Sequence, residues 1–167
     1  TCATCHDPHD VGTTSGGPTT NAKVRVTGTT PALMAGFTAT NVGTGAICMT
    51  CHNGRRGLRD DSNFSVADAT RAPHAGPQAD VLMGRNMYFT KVGQRGIHSM
   101  IQDSCVTCHM ESTNPPAGLA NKNADGSYGG TNHTFYASNT ICTKCHSSIT
   151  LDTVQAPVQA KMDSLKT

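Results

Sequence analysis

All eight cysteines of this 167-residue chain occur in one five-residue pattern, in which two cysteines separated by two residues are followed directly by a histidine. The four copies are Cys2, Cys5 and His6; Cys48, Cys51 and His52; Cys105, Cys108 and His109; and Cys142, Cys145 and His146. Two thiols at this spacing can each form a thioether with a haem vinyl group, and the histidine can bind the iron. The pattern therefore predicts four covalently bound haem c groups, each with its motif histidine as proximal ligand.

Disulfides and zinc are the other common uses of cysteine in a short chain. Disulfides between the motifs would not require the strict spacing, and they would leave the four adjoining histidines unexplained. A zinc site would have to bring a cysteine and the very next histidine to one tetrahedral centre, which adjacent residues rarely reach. Haem attachment is therefore the better explanation of the pattern.

Four further histidines equal in number the sixth coordination positions of four irons; they are His9, His74, His98 and His133. We therefore predict bis-histidine ligation at all four haems, with these residues as distal ligands. Any one of them could instead be an ordinary surface histidine, and methionine is the other possible sixth ligand. Met49 lies inside a motif and Met110 follows one, so neither can easily reach the opposite haem face. Four six-coordinate irons leave no position for a substrate, which favours electron transfer over catalysis.

The composition offers little material for a protein core. Only 36% of the residues are hydrophobic and 4% are aromatic, with no tryptophan, which is thin for one domain of this length. We expect a single domain over residues 1–167 in which the chain of haems forms the core. The expected fold is that of a multihaem cytochrome c, mostly coil with few short α-helices and minimal β structure.

Charge and hydropathy restrict the possible partners and the compartment. The formal net charge of +2 and the single basic run of Arg55, Arg56 and Arg59 do not indicate nucleic-acid binding. That run is either a partner for haem propionates or a solvated turn. No apolar run approaches the roughly 20 residues of a membrane span. Covalent haem attachment implies export, so we expect the protein at the cell surface or, alternatively, in the periplasm.

A few local patterns predict regular structure between long connections. They are a strand over residues 23–27, short helices over 77–83 and 105–109, a helical fourth motif capped at Ser138 or Asn139, and an amphipathic helix over 157–165. Asp103 or Ser104 could cap the helix of the third motif. Most of residues 11–45 is expected to be loop.

His9 follows His6 by three residues, with Pro8 between them. Three residues span about 10 Å when fully extended, which is too short to pass round a haem and reach its other face. His9 must therefore bind another iron of the same chain, bind a haem of another molecule, or remain unligated.

The chain resembles the extracellular multihaem cytochromes that polymerise into conductive filaments, in particular the tetrahaem outer-membrane cytochrome E type. The resemblance rests on the four motifs with four further histidines and on the opening Cys-x-x-Cys-His-x-x-His of residues 2–9. It also rests on the segment from Pro73 and His74 to Gly84, and on Asn132-His133-Thr-Phe135 before the last motif.

The resemblance implies a homopolymer in which His9 completes a haem of the adjacent protomer, namely the haem held by Cys142, Cys145 and His146. Within the protomer, we favour His133 for the third haem and share His74 and His98 between the first two. The function implied is extracellular electron transfer, from upstream donors at the outer surface to metal oxides, electrodes or other cells. The haems would stack continuously along the filament.

Two other functions remain open from the sequence. A monomeric, soluble periplasmic tetrahaem shuttle would require His9 to bind a haem of its own chain. A haem enzyme, or the electron-entry domain of a reductase, would require one of the four additional histidines not to be a ligand.

Overall fold

Short elements separated by long connections make up the chain in this computed structural model, which describes residues 2–14, 17–54, 76–87, 90–113 and 130–165. The chain divides into two compact units, Thr1–Thr107 and Cys108–Thr167. The expectation of a mostly coil chain with few short helices and little β structure is confirmed.

The elements of the first unit are α1 (Cys2–Cys5), β1 (His6–Thr14), β2 (Gly17–Val24), a 3₁₀ turn (Gly43–Gly45), α2 (Ala46–Met49), α3 (Gln78–Leu82) and a second 3₁₀ turn (Ile97–Met100). Helix α4 (Cys105–His109) leads into the second unit, which contains β3 (Ser112–Thr113), β4 (Gly130–Thr131), α5 (Asn139–Thr143) and α6 (Leu151–Ser164). None of the helices in these ranges is long and apolar enough to cross a membrane.

The N-terminal hairpin differs from the strand expected over residues 23–27. Strand β2 is antiparallel to β1 and ends at Val24, so it overlaps that prediction by two residues only. After Val24 the chain leaves the hairpin, and Arg25 forms hydrogen bonds with the first motif instead. Its backbone N–H donates to the Cys5 carbonyl at 2.9 Å, and its Nε donates to the Ala3 carbonyl at 2.8 Å.

The buried apolar cluster is small and belongs to the first unit. Half of its members are alanines; the cluster comprises Leu33, Ala35, Ala39, Val42, Ala46, Met49, Ala79 and Met83. In the second unit, none of the residues whose exposure the structure defines is buried. The described chain therefore buries little apolar surface of its own, although apolar burial is the main favourable contribution to folding.

The segments that lead into α2 and α4 are pressed together. The backbone N–H and the hydroxyl of Thr44 donate to Asp103 Oδ1 at 2.8 and 2.9 Å. A Cβ atom at Gly45 would lie 2.7 Å from the Asp103 carbonyl oxygen and 3.0 Å from the Cys105 nitrogen. Only glycine allows so close an approach of these two segments. The Asp103 carboxylate, expected as one possible cap of α4, is thus a hydrogen-bond acceptor for Thr44.

Gly45→Ala is expected to destabilise the protein by about 1–3 kcal/mol, because the added methyl group collides with backbone atoms rather than with a flexible side chain. Gly96→Ala is the matched control, since Gly96 also has a negative φ and a Cβ there meets nothing within 4 Å. Guanidinium unfolding of the two variants beside the parent measures the difference. Equal unfolding midpoints for the two variants would show that the contact of Gly45 with the segment before α4 leaves room for a methyl group.

The helix expected over residues 77–83 and the cap expected at Ser138 can be compared directly with the structure. Helix α3 lies within the expected 77–83, and Gly84 follows it with φ of +62°. The cap at Ser138 is confirmed, because its side chain accepts from the Ile141 N–H at 3.3 Å.

The last helix begins six residues earlier than expected, with Pro157 inside it. Its start is fixed by a capping box, in which the Thr150 side chain accepts from the Thr153 N–H and the Thr153 side chain accepts from the Thr150 N–H. The side chains from Asp152 to Leu165 are all exposed.

Candidate haem-attachment sites

Three of the four motifs adopt a single helical turn. Helix α4 contains the whole third motif. In the second and fourth motifs the histidine N–H donates to the carbonyl of the first cysteine, at 2.9 Å for both His52 and His146. Residues at positions i, i+3 and i+4 of a helix lie on one face. Both thiols and the imidazole of these motifs therefore face one side, as attachment of a single haem requires.

The first motif is built differently. Helix α1 contains Cys2 and Cys5, and His6 is the first residue of strand β1. Besides its contact with Ala3, the Arg25 guanidinium Nε lies 3.1 Å from the His6 carbonyl oxygen. Arg25 therefore holds the backbone of this motif where a continuing helix would otherwise do so.

Two buried residues, Met49 and Asn53, anchor the helical turn of the second motif. Met49 is fully buried, and the buried Asn53 side chain accepts from the Ala35 N–H at 3.1 Å and donates to the Met49 carbonyl at 2.8 Å. His52 lies between them in sequence and is exposed. This anchoring leaves the imidazole on the outer side of the turn, where a porphyrin can approach it.

None of the eight cysteines forms a disulfide; Cys2, Cys51 and Cys145 are exposed and the others are half-buried. A hydrogen bond with the Cys105 thiol, together with burial, raises the pKa of the Cys48 thiol well above its ordinary value. Cys48 opens the second motif and Cys105 opens the third. The attachment points predicted for these two haems are therefore adjacent.

Three predicted iron ligands share one feature, an oxygen acceptor at Nδ1. His52 Nδ1 lies 3.1 Å from Gln78 Oε1, and His109 Nδ1 lies 3.0 Å from the Phe135 carbonyl oxygen. The Nδ1 atom of His133 lies 2.9 Å from the carbonyl oxygen of Thr131. These oxygens can only accept, so Nδ1 carries the proton and the lone pair is on Nε2. A hydrogen bond of this kind orients a metal-bound imidazole and raises its basicity.

Exposed apolar side chains lie next to the predicted distal ligands. Ile97 and Met100, which are 79% and 74% exposed, flank His98 in its 3₁₀ turn. Phe135 and Tyr136 follow His133 and are also largely exposed. Apolar surface beside a ligand fits a porphyrin, which is an apolar plate that would cover it.

His9, His98 and His133 are all exposed. The fourth predicted distal ligand, His74, lies outside the described residues, as do Arg55, Arg56 and Arg59. Within the described ranges no three His, Cys, Asp or Glu side chains meet in a group that could hold a bare metal ion. A haem iron needs only two axial side chains from the protein, so a haem site does not require such a group.

The sequence predicts the iron ligands but not the residues that orient their imidazoles. Gln78 and the carbonyl groups of Thr131 and Phe135 have no motif that would mark them as imidazole partners. Comparison of the chain with protein-family models, curated proteins and solved structures gave no match. The functional assignment therefore depends on the residues and geometry of this chain alone.

Proposed function

We propose that this chain is a c-type cytochrome that transfers electrons through four bis-histidine haems. The main support is the combination of single-turn motifs with oriented proximal imidazoles at His52 and His109. When bound, the haem groups supply the reversible one-electron chemistry of iron. The cysteines hold each group covalently, and the histidines set its axial ligation. The small protein core agrees with a fold in which the cofactors provide the missing apolar contacts.

Within that class, we propose that the chain is the protomer of an extracellular cytochrome filament. His9 is exposed and lies where β1 bulges away from β2, since His6 pairs with Val24 but Val11 pairs with Ala22. Its backbone N–H donates to Asp7 Oδ1 at 3.0 Å, which fixes the local turn. A histidine held outward in this way is suited to complete a haem of the adjacent protomer. Electrons would pass along the filament to minerals, electrodes or other cells.

The haem content tests the proposal most simply. Protein made in a host that attaches haem c is expected to carry four haems per chain, by intact mass and by pyridine haemochrome absorbance. All four irons are expected to be low-spin, and carbon monoxide is not expected to bind to the native protein. Fewer than four haems would contradict the proposal. Binding of carbon monoxide to the native protein would instead favour a haem enzyme.

Gln78 provides a test of the oriented imidazole at His52. Gln78→Leu removes the acceptor at Nδ1, so the imidazole becomes less basic and the reduction potential of one haem is expected to rise. Gln78→Glu strengthens the acceptor and is expected to lower that potential. Spectroelectrochemical titration measures both shifts, and Gln159→Leu on the exposed helix α6 is the control. Shifts of the same sign in the two Gln78 variants would contradict the assigned role.

A further inference from the structure

A two-stranded ribbon links His109, the proximal histidine predicted for the third haem, to His133, a predicted distal ligand. Strands β3 and β4 pair Ser112 with Thr131, and the Asn132 N–H donates to the Glu111 carbonyl at 2.9 Å. The ribbon therefore connects the residues just after His109 to those just before His133. Because the strands are antiparallel, His109 before β3 and His133 after β4 lie at the same end of the ribbon.

The two imidazole rings are held by carbonyl groups of the same segment. His133 Nδ1 is bonded to the carbonyl of Thr131, and His109 Nδ1 is bonded to that of Phe135. The segment is itself fixed from the other side, because the backbone N–H and hydroxyl of Ser138 lie 3.2 and 3.0 Å from the Glu111 carboxylate oxygens. Both rings are exposed, so a haem can approach each of them.

The hydrogen bond at His109 Nδ1 determines where Phe135 must be when His109 binds iron. Nε2 is the atom that binds the metal, so the Phe135 carbonyl lies at the edge of the ring away from the porphyrin. The second axial ligand of that iron must stand on the opposite face of the macrocycle. His133 precedes Phe135 by two residues, which span about 7 Å when fully extended. The chain cannot pass from behind His109 round the porphyrin within that distance.

We propose that His133 binds an iron other than the one bound by His109, so that the β3–β4 ribbon joins two different haems. The proposal rests on the proposed function, since it takes the four haems as given. It replaces our expectation from the sequence that His133 serves the third haem. The sixth position of the third haem then falls to one of the other distal histidines. The two imidazoles, held on one ribbon, fix the separation of two irons.

Carbon monoxide binding counts the irons that the two histidines serve. His109→Ala and His133→Ala each open one position and are each expected to bind one carbon monoxide per chain. The double variant is expected to bind two, because two irons have lost a ligand. Binding of only one by the double variant would overturn the proposal, since it would mean that both histidines serve the same iron. Pyridine haemochrome absorbance must report four haems in each variant.

The same measurement identifies the second haem. His133→Ala is combined in turn with His6→Ala, His52→Ala and His146→Ala. In the double variant that binds a single carbon monoxide, the two substituted histidines serve the same iron. If His133→Ala alone binds no carbon monoxide, so that every pair binds only one, His133 is not a ligand and the proposal fails.

Methionine variants keep the proposal testable if an alanine variant loses haem. His109→Met and His133→Met each raise the potential of one haem, because methionine ligation favours ferrous iron. The double methionine variant is expected to change two haems, and a change confined to one would overturn the proposal. Failure of the proposed function is recognised separately, because the unsubstituted protein would then carry fewer than four haems or bind carbon monoxide.

Discussion

Replacing Cys142 and Cys145 together with serine is expected to give a chain that carries three haems instead of four. These two thiols are the only covalent attachment predicted for the fourth haem, and coordination of its iron by His146 does not replace the two thioether bonds. The Ser138 side chain caps α5 by accepting from the Ile141 N–H. The Cys142 thiol donates to the Ser138 carbonyl at 3.8 Å, and a serine hydroxyl can also donate there, so the turn itself is expected to persist. Intact mass would be lower by one haem, and haem absorbance per chain would fall by a quarter.

Lys144→Gln is the matched control, because Lys144 lies between the two cysteines in the same turn and carries no thiol. It is expected to retain all four haems. Four haems in the double serine variant would mean that the motif is not an attachment site. Loss of haem from both variants would instead indicate that any change in this turn disturbs the fold.

His9→Ala is expected to abolish filament formation while leaving four haems attached to each chain. The substitution removes only a side chain that is exposed and lies outside the thioether motifs. Without it, the terminal haem of each neighbour lacks its sixth ligand, and the bond that joins the protomers is lost. Each discrete protomer is then expected to bind one carbon monoxide. Electron microscopy and carbon monoxide titration measure the two effects.

His98→Ala is the comparison variant, because it removes a distal ligand proposed to act within the protomer. It is expected to bind one carbon monoxide per chain but to form filaments. Filaments of normal length from His9→Ala would contradict the role proposed for His9. Loss of filaments in both variants would show only that polymerisation needs complete haem ligation.

The features that could be predicted from the sequence are those determined within a few residues. The spacing of two cysteines and a histidine is itself the geometry of one helical turn, and the structure has such a turn at Cys105–His109. The Ser138 cap is likewise local, and so is the end of α3 at Leu82, two residues before Gly84 with its positive φ. The predicted start of the last helix at residue 157 was wrong, because the capping box of Thr150 and Thr153 begins α6 at Leu151.

The features that could not be predicted depend on contacts between distant residues. The contact between His52 and Gln78 spans 26 residues, and so does that between His109 and Phe135. A backbone carbonyl carries no sequence signature, because every residue has one. The strand expected over residues 23–27 was misplaced for a similar reason, since Arg25 contacts Ala3 and His6 in the first motif, which lie 22 and 19 residues earlier in the chain.

The most direct test of this account is electron microscopy of the natively purified, unconcentrated protein, at a resolution that identifies axial ligands. We predict filaments in which four haems per protomer form a chain of irons that continues across each subunit boundary. His9 is expected on the iron of the adjacent protomer, and the ligands at His109 and His133 are expected on different irons. Discrete particles of single-protomer size, with His9 bound to a haem of its own chain, would contradict the filament and favour a soluble electron shuttle.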